Sequence, residues 1–193
     1  MGIFDALFGW TRQPRAQTDP LFALTTAMIT METELGWIPT GKAGLCLKPP
    51  STGDFRMTEK ELEELLNLAA RETESKVMIK TDEFNYKWLL FEDPDWEDLV
   101  TLIHLAGEKL TEEGYGSQLL AAVFSFKQEE QADDRILYLI YNYKRGKFYP
   151  FLPVRGRQDR DTSEEMKICA LMEKELPWEK NLSYWYPIWG CPL

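Results

Sequence analysis

The chain has 193 residues, of which 44% are hydrophobic and 13% aromatic, and its formal net charge is −10. This length and apolar content allow one well-packed domain and exclude an intrinsically disordered chain. The strongly acidic balance repels phosphate groups, so the composition also excludes general nucleic-acid binding.

Cysteine usage and hydropathy together predict a cytoplasmic protein that holds no metal or cofactor. Cys46, Cys169 and Cys191 are odd in number and widely spaced, and no CxxC pair occurs, whereas disulfide frameworks and zinc sites need regular, paired spacings. No apolar run approaches the ~20 residues that a membrane-spanning helix requires. The first residues lack the basic start, apolar stretch and cleavage site of a secretory signal.

The first 18 residues are predicted to be separate from a single domain that occupies residues 19–193. They consist of an apolar lead followed by a polar linker. In a helical conformation Phe4, Leu7 and Phe8 of the lead would share one side. Such a side could dock on a partner, lie in a membrane interface or fold back on the domain, and the sequence leaves these alternatives open.

The first predicted elements are a helix, a strand and a second helix. Asp19-Pro20 provides a cap and a first-turn proline for a helix that ends at Gly36. A strand is predicted over 43–48. Thr58 and Glu61 form the capping box of the second helix.

The remaining elements are two strands, the longest helix, three strands and a last helix. Asp93-Pro94 is predicted to cap the longest helix, which ends at Gly114, and Asp161 is predicted to cap the last helix, which ends near Glu175. Because strands and helices alternate irregularly, the fold class is predicted to be α+β, a mainly antiparallel sheet with packed helices. The strands are predicted at 77–79, 84–91, 118–126, 136–143 and 147–152.

An aromatic tail closes the chain. Residues 184–190 contain five large apolar side chains in seven positions. Because exposure of such a segment would promote aggregation, the tail is predicted to cover the sheet or, as the alternative, a partner.

No catalytic constellation is recognised, and we predict that the protein is not an enzyme. The single histidine, His104, has Glu108 one helical turn later, which is compatible with a weak acid/base or metal pair. No second histidine and no nucleophile at a suitable spacing accompany it, so a partly buried, hydrogen-bonded histidine is the preferred interpretation.

The acids at 93–98 lack the glycine and the glutamate of a calcium loop.

Charge is unevenly distributed, because residues 144–160 hold six basic residues and one acid, Asp159. A basic segment on an acidic body is suited to an acidic partner or to anionic lipid, although a merely solvated loop is the simpler alternative. With the apolar lead, this segment supplies the candidate partner-binding residues. They are Phe4, Leu7, Phe8, Lys144, Arg145, Lys147, Arg155 and Arg157.

Several segments, in order and over nearly the whole chain, carry a family resemblance. They are MGIFDALFG, TELGWIPTGKAGLCLKP, FEDPDWEDLVTLIHLAGEKL, GYGSQLLAAVFSF, YNYKRGKFYPFLPV and YWYPIWGCPL. In these segments the chain resembles the PspA-associated protein B family of the phage-shock system in actinobacteria and archaea.

The resemblance implies a cytoplasmic accessory protein of the stress response, without catalytic residues or cofactors. Its implied partner is PspA, a coiled-coil protein that protects the inner membrane, and peripheral membrane contact is an open alternative. The resemblance also implies a layout like that of secretion chaperones.

Two functional hypotheses follow from the sequence. The first is a non-enzymatic adaptor that binds PspA-type membrane-stress proteins. The second is a chaperone-like module that binds client peptides of other proteins. An enzyme of unknown class remains only as a residual alternative, and the sequence leaves the oligomeric state open.

Overall fold

A computed structural model describes residues 19–50, 55–73, 75–128 and 135–193. These residues form four α-helices and six β-strands, in the order that the sequence predicts. The helices are α1 (Ala23–Thr33, after a 3-10 turn at Asp19–Phe22), α2 (Phe55–Thr73), α3 (Trp96–Glu112) and α4 (Thr162–Leu171). The strands are β1 (Trp37–Leu47), β2 (Lys76–Thr81), β3 (Lys87–Glu92), β4 (Leu119–Gln128), β5 (Ile136–Asn142) and β6 (Lys147–Phe151).

The six strands form one sheet in the order β2-β3-β1-β4-β5-β6, and every neighbouring pair is antiparallel. The predicted α+β class with a mainly antiparallel sheet is therefore confirmed. Residues 1–18, which include Phe4, Leu7 and Phe8, lie outside the described residues. The proposed division at residue 18 stays a prediction.

The sheet is apolar on both faces, whereas antiparallel sheets commonly have one apolar face and one polar face in contact with water. Along β3, Leu89 and Phe91 point into one buried cluster, while Trp88 and Leu90 point into another on the opposite face. This alternation follows from the two-residue period of a strand. Each face of the sheet therefore has to be covered by another part of the protein.

The helices cover the first face. Trp96 of α3 lies between Phe124 and Phe126 of β4, with ring centroids 5.3 and 5.2 Å apart, and its indole nitrogen donates to the carbonyl of Leu24 over 3.1 Å. The sequence places six residues of α3 at the i, i+3, i+4, i+7 spacing of one helix face, which predicts an apolar stripe. All six are buried in the structure: Trp96, Leu99, Val100, Ile103, Gly107 and Leu110. The bond to Leu24 also ties α1 to α3 over the sheet.

Several predicted boundaries are corrected. Asp95, and not Asp93, caps α3, because Asp95 has an extended backbone and its carboxylate accepts hydrogen bonds from the backbone of Glu97 and Asp98 at 2.8 and 3.3 Å. Asp93 instead accepts the backbone N–H of Asp95 and the hydroxyl of Ser75. The helix α2 begins three residues before the predicted cap at Thr58, and α4 ends at Leu171 rather than near Glu175.

The strand β1 begins at Trp37, six residues before the predicted start. The irregularity near its centre is a bulge within the strand and not the beginning of the strand. The register with β4 shifts between Pro39 and Ala43. Gly41 lies in this bulge with φ +76°, and its carbonyl accepts the backbone N–H of Asp93 over 2.9 Å. A Cβ at Gly41 would be 2.9 Å from the carbonyl oxygen of Asp93. The bulge thus requires glycine and joins β1 to the start of α3.

We expect Gly41→Ala to lower the free energy of unfolding by about 2–4 kcal/mol, since left-handed strain of about 1–3 kcal/mol is combined with a backbone clash. Gly156→Ala is the matched control: its φ is +74°, but no atom lies within 4 Å of the added Cβ. Urea unfolding of both variants measures the difference. Equal losses would contradict the role given to the contact with Asp93.

Candidate partner-binding groove

The closing tail, residues 178–193, covers the second face of the sheet. It starts beside β6, where the backbone N–H of Phe148 donates to Pro177 over 2.9 Å and the N–H of Glu179 donates to Phe148 over 2.8 Å. Further along, the ring of Trp185 stacks on Tyr149 with centroids 6.3 Å apart. The expectation that the aromatic tail covers the sheet is met.

The end of the tail reaches the centre of the sheet. Trp189 meets the ring of Phe151 edge-on at 4.9 Å, and Leu193 lies over Gly44 of β1, where an added Cβ would be 3.3 Å from the Leu193 side chain. Because Gly44 has no side chain, Leu193 packs directly over the backbone of β1 at this position.

Arg160 joins the tail to the rest of the domain. Its Nε atom donates to both carboxylate oxygens of the buried Glu165, at 3.0 and 2.8 Å. Its Nη1 donates to the carbonyl of Trp185 and its Nη2 to the carbonyl of Pro150, each over 2.9 Å. Although Arg160 contributes to the basic segment in the sequence, its guanidinium is used inside the fold.

Arg145 holds the beginning of the tail from the β5–β6 turn. Its Nε donates to the carboxylate of Glu179, which is 6% exposed, and its guanidinium lies 3.7 Å from the ring centroid of Tyr184. The hydrogen bond from Arg145 lowers the pKa of Glu179 below its ordinary value of 4.5. The indole nitrogen of Trp185 donates to the Glu179 carbonyl over 2.9 Å.

Between the tail and the hairpin turns of the sheet lies a groove of about 980 Å³. We call it the tail groove. It runs along one end of the sheet, where β1 and β5 end and β3, β4 and β6 begin. Its lining is Cys46, Asp82, Glu83, Phe84, Tyr86, Trp88, Leu120, Ala121, Asn142, Lys144, Arg145, Tyr149, Gln158, Tyr184 and residues 186–191.

The β2–β3 turn forms one end of the tail groove, and Asp82 fixes its shape. One Asp82 carboxylate oxygen accepts the backbone N–H groups of Phe84 and Tyr86, both over 2.9 Å, and the other accepts the indole N–H of Trp88 over 3.0 Å. These bonds hold Phe84 at the rim, where its side chain is 69% exposed. Asn85 supplies the positive φ of the turn.

The thiols of the groove are not activated nucleophiles. Burial raises the pKa of Cys46, with the charges of Asp82 and Cys191 adding to the effect, to about 12. Burial also raises the pKa of Cys191 to about 12. Both thiols are therefore protonated at neutral pH, which is the unreactive state of cysteine.

His104 lies on the helix side of the sheet and not in the groove. Its Nε2 is 3.3 Å from a carboxylate oxygen of Glu108, its side chain is 15% exposed, and its ring packs on Phe22 at 4.5 Å. Across the described part of the chain, no three His, Cys, Asp or Glu side chains are arranged to hold a metal ion.

The structure brings together only part of the predicted binding residues. Lys144 and Arg145 line the tail groove, whereas Lys147, Arg155 and Arg157 are exposed outside its lining. Phe4, Leu7 and Phe8 fall in the part of the chain that the structure does not describe. No helix of the described residues has the length and apolar character to cross a membrane.

Sequence reasoning did not find the β2–β3 end of the groove. The sequence predicts a strand over 84–91, whereas Phe84 lies in the β2–β3 turn, and Asp82 is expected only as part of the turn between the two predicted strands. The available signal was Asp82 followed by aromatic residues at alternating positions, Phe84, Tyr86 and Trp88, which is the pattern of an Asx-type turn leading into a strand.

The family described as PspA associated protein B matches residues 1–193, the whole chain. The chain belongs to this family. The resemblance that the sequence segments carry is thereby confirmed.

No curated protein and no solved structure matches the chain. The expected likeness of this PspA associated protein B family member to secretion chaperones is therefore not confirmed.

We expect Arg145→Gln to lower the melting temperature at pH 7, because Glu179 would lose the hydrogen bond that stabilises its charged form. A carboxyl whose pKa is lowered in the folded state stabilises the fold above its unfolded pKa, and this stabilisation is lost as the pH falls through the folded value. The difference between the variant and the parent should therefore shrink below about pH 4.5.

Thermal unfolding from pH 3 to 8 measures this effect, with the exposed Arg157→Gln as the control of equal charge change. A pH-independent difference for Arg145→Gln would contradict the assignment to Glu179.

Proposed function

We propose that this protein is a non-enzymatic accessory protein that binds a PspA-type membrane-stress protein. The observation that carries the proposal is the match of the whole chain to a family described by its association with PspA. The proposed setting is the cytoplasm, with peripheral contact at the inner face of the membrane through the partner.

The chemistry of the tail groove supports binding over catalysis. The carboxylate of Asp82 already accepts three hydrogen bonds from the β2–β3 hairpin, and the guanidinium of Arg145 already contacts Glu179 and Tyr184. The thiol of Cys46 is held protonated. General acid–base or nucleophilic catalysis needs groups that are poised to exchange protons or to attack, whereas these groups serve the shape of the groove.

The basic segment is proposed to assist the approach of the partner. Lys144 stands at the groove, and Lys147, Arg155 and Arg157 are exposed nearby along the chain. Exposed charges on one side of an acidic protein act mainly on the rate of encounter, and salt screens them. Arg160 is excluded from this role, since its guanidinium is bonded inside the fold.

A second candidate function is a chaperone-like module that binds client peptides of other proteins. The observation that favours it is the aromatic lining of the tail groove, which is suited to apolar segments in general. The two functions differ in selectivity: an accessory protein prefers PspA over unrelated apolar segments, and a chaperone-like module does not.

The first test measures association of the full chain with a purified PspA-type protein, and with an unrelated coiled coil as control, at 50 and 500 mM salt. We expect selective binding. Lys144→Gln combined with Lys147→Gln should slow association severalfold at 50 mM salt and flatten its salt dependence.

Arg145 is kept in this variant because it stabilises the tail. The matched control, Lys60→Gln with Lys174→Gln, removes the same charge from exposed sites elsewhere. Absence of binding to PspA would refute the proposal, and equal binding to the unrelated coiled coil would favour the chaperone-like function.

The second test removes residues 1–16. If the lead is a docking element beyond the domain, its deletion should leave the melting temperature within about 2 °C of the parent and weaken recruitment of the protein to PspA or to membranes. Phe4→Ser with Phe8→Ser is the companion variant that keeps the chain length. A fall of several degrees would instead identify the lead as part of the core cover.

A further inference from the structure

We propose that the tail groove holds an extended segment of a partner protein, about seven residues long, with apolar side chains between a basic end and an acidic end. This inference deepens the proposed function, on which it rests only for the identity of the partner. The length, the volume and the charges of the groove support it.

The strand order sets the length of the groove. Its lining reaches from the β2–β3 turn, at Asp82 and Glu83, to the β5–β6 turn, at Lys144 and Arg145. In the order β2-β3-β1-β4-β5-β6 the two turns are four strand spacings apart, which is about 19 Å at ~4.8 Å per strand.

The volume of the groove is sufficient for an extended segment over this length. An extended chain, with neighbours ~4.8 Å away in a sheet and ~10 Å away between sheets, occupies a cross-section of roughly 50 Å² and therefore fills roughly 950 Å³ over ~19 Å. The groove provides this space, with a volume of about 980 Å³.

The distance of ~19 Å between the two turns also sets the number of residues in the bound segment. In an extended chain the first and seventh Cα atoms lie about 20 Å apart. Alternate side chains of such a segment would face the apolar floor, to which Trp88, Ala121 and Tyr149 contribute. A desolvated backbone needs hydrogen-bond partners. The exposed side-chain amide of Gln158 in the lining is available to it, whereas the Oδ1 atom of Asn142 already accepts the backbone N–H of Lys144 over 3.1 Å.

The two ends of the groove carry opposite charge. Glu83 is exposed at the β2–β3 end and Lys144 is exposed at the β5–β6 end. Neither side chain forms an ion pair with a residue that the structure describes, in contrast to Arg145, which is bound to Glu179. A segment that places a basic residue beside Glu83 and an acidic residue beside Lys144 complements both ends.

Two exposed aromatic side chains in the lining of the groove are available to contact such a segment. Phe84 is 69% exposed and Tyr186 is 53% exposed. The backbone at both residues is held in place: Asp82 fixes the turn of Phe84, and the carbonyl of Tyr186 accepts the hydroxyl of Tyr149 over 3.2 Å. Aromatic side chains are enriched among the anchors of protein interfaces.

The test uses capped synthetic peptides and the full chain at 50 mM salt. The probe acetyl-KVSFSVE-amide is compared with EVSFSVE and KVSFSVK, which keep the apolar residues and change one end. We expect the first peptide to bind about fivefold more tightly than either of the others, because each of those places one like charge beside Glu83 or Lys144. Transferred nuclear Overhauser effects should report an extended bound backbone.

Charge reversal in the protein should exchange the preferences. Glu83→Lys should make EVSFSVE the preferred peptide, and Lys144→Glu should make KVSFSVK the preferred peptide. Glu112→Lys and Lys174→Glu apply the same charge changes at exposed positions outside the lining and should leave the order unchanged. Phe84→Ala should weaken all three peptides about tenfold.

Melting temperatures confirm that the variants are folded. If none of the peptides binds, if the order is insensitive to Glu83→Lys and Lys144→Glu, or if the bound peptide is helical, the inference is overturned. A chain that binds PspA but none of these peptides loses this inference alone, whereas a chain that binds the peptides but not PspA keeps the groove and loses the proposed partner.

Discussion

A sheet that is apolar on both faces needs two covers, and this requirement shapes the whole molecule. All four helices contribute to the cover of one face, with Trp96 of α3 packed between two phenylalanines of β4. On the other face none of the described helices contributes a buried residue, and the closing tail provides the cover. Burying one large aromatic side chain contributes on the order of 2–3 kcal/mol, and a whole domain has only about 5–15 kcal/mol of net stability. The tail is thus an integral part of the fold.

A tail of irregular structure cannot cover a sheet as completely as helices do, and the tail groove results from this difference. Two arginines compensate for the missing regular structure, because Arg145 and Arg160 bind carbonyl and carboxylate groups that no ladder satisfies. Arg145 also lines the groove at its β5–β6 end. In the binding that we propose, stability and recognition depend on the same tail, and the exposed groups at the ends of the groove, Glu83 and Lys144, contact the partner.

Much of the fold was accessible from the sequence, since periodicity gives the elements and their order. The stripe of α3 and the cap at Asp161 are local signals, and both are present in the structure. The bulge at Gly41 is not evident from the sequence, because the contacts that hold it and that require glycine are with Asp93, in a distant part of the chain. The cap of α3 was misplaced by two residues for a related reason, since Asp93 is engaged by Ser75.

The candidate site was less accessible, because charge in a sequence does not show where a side chain points. In the sequence, Arg145 and Arg160 add to the charge of the basic segment just as Lys144 does. In the structure, both arginines bind carboxylate or carbonyl groups of the same chain. The acidic end of the groove comes from the β2–β3 turn, which sheet order rather than sequence distance places opposite Lys144. Such pairing across a sheet can be inferred only when the strand order is known.

The contact between Leu193 and Gly44 has a consequence for the order of folding. It joins the middle of β1 to the far end of the chain, and contacts with such long sequence separation form late because the intervening chain must be organised first. We therefore expect the helix-covered face to form before the tail docks. Until then Trp88, Tyr149 and Phe151 would face solvent, and this apolar surface would favour association of incompletely folded chains with one another.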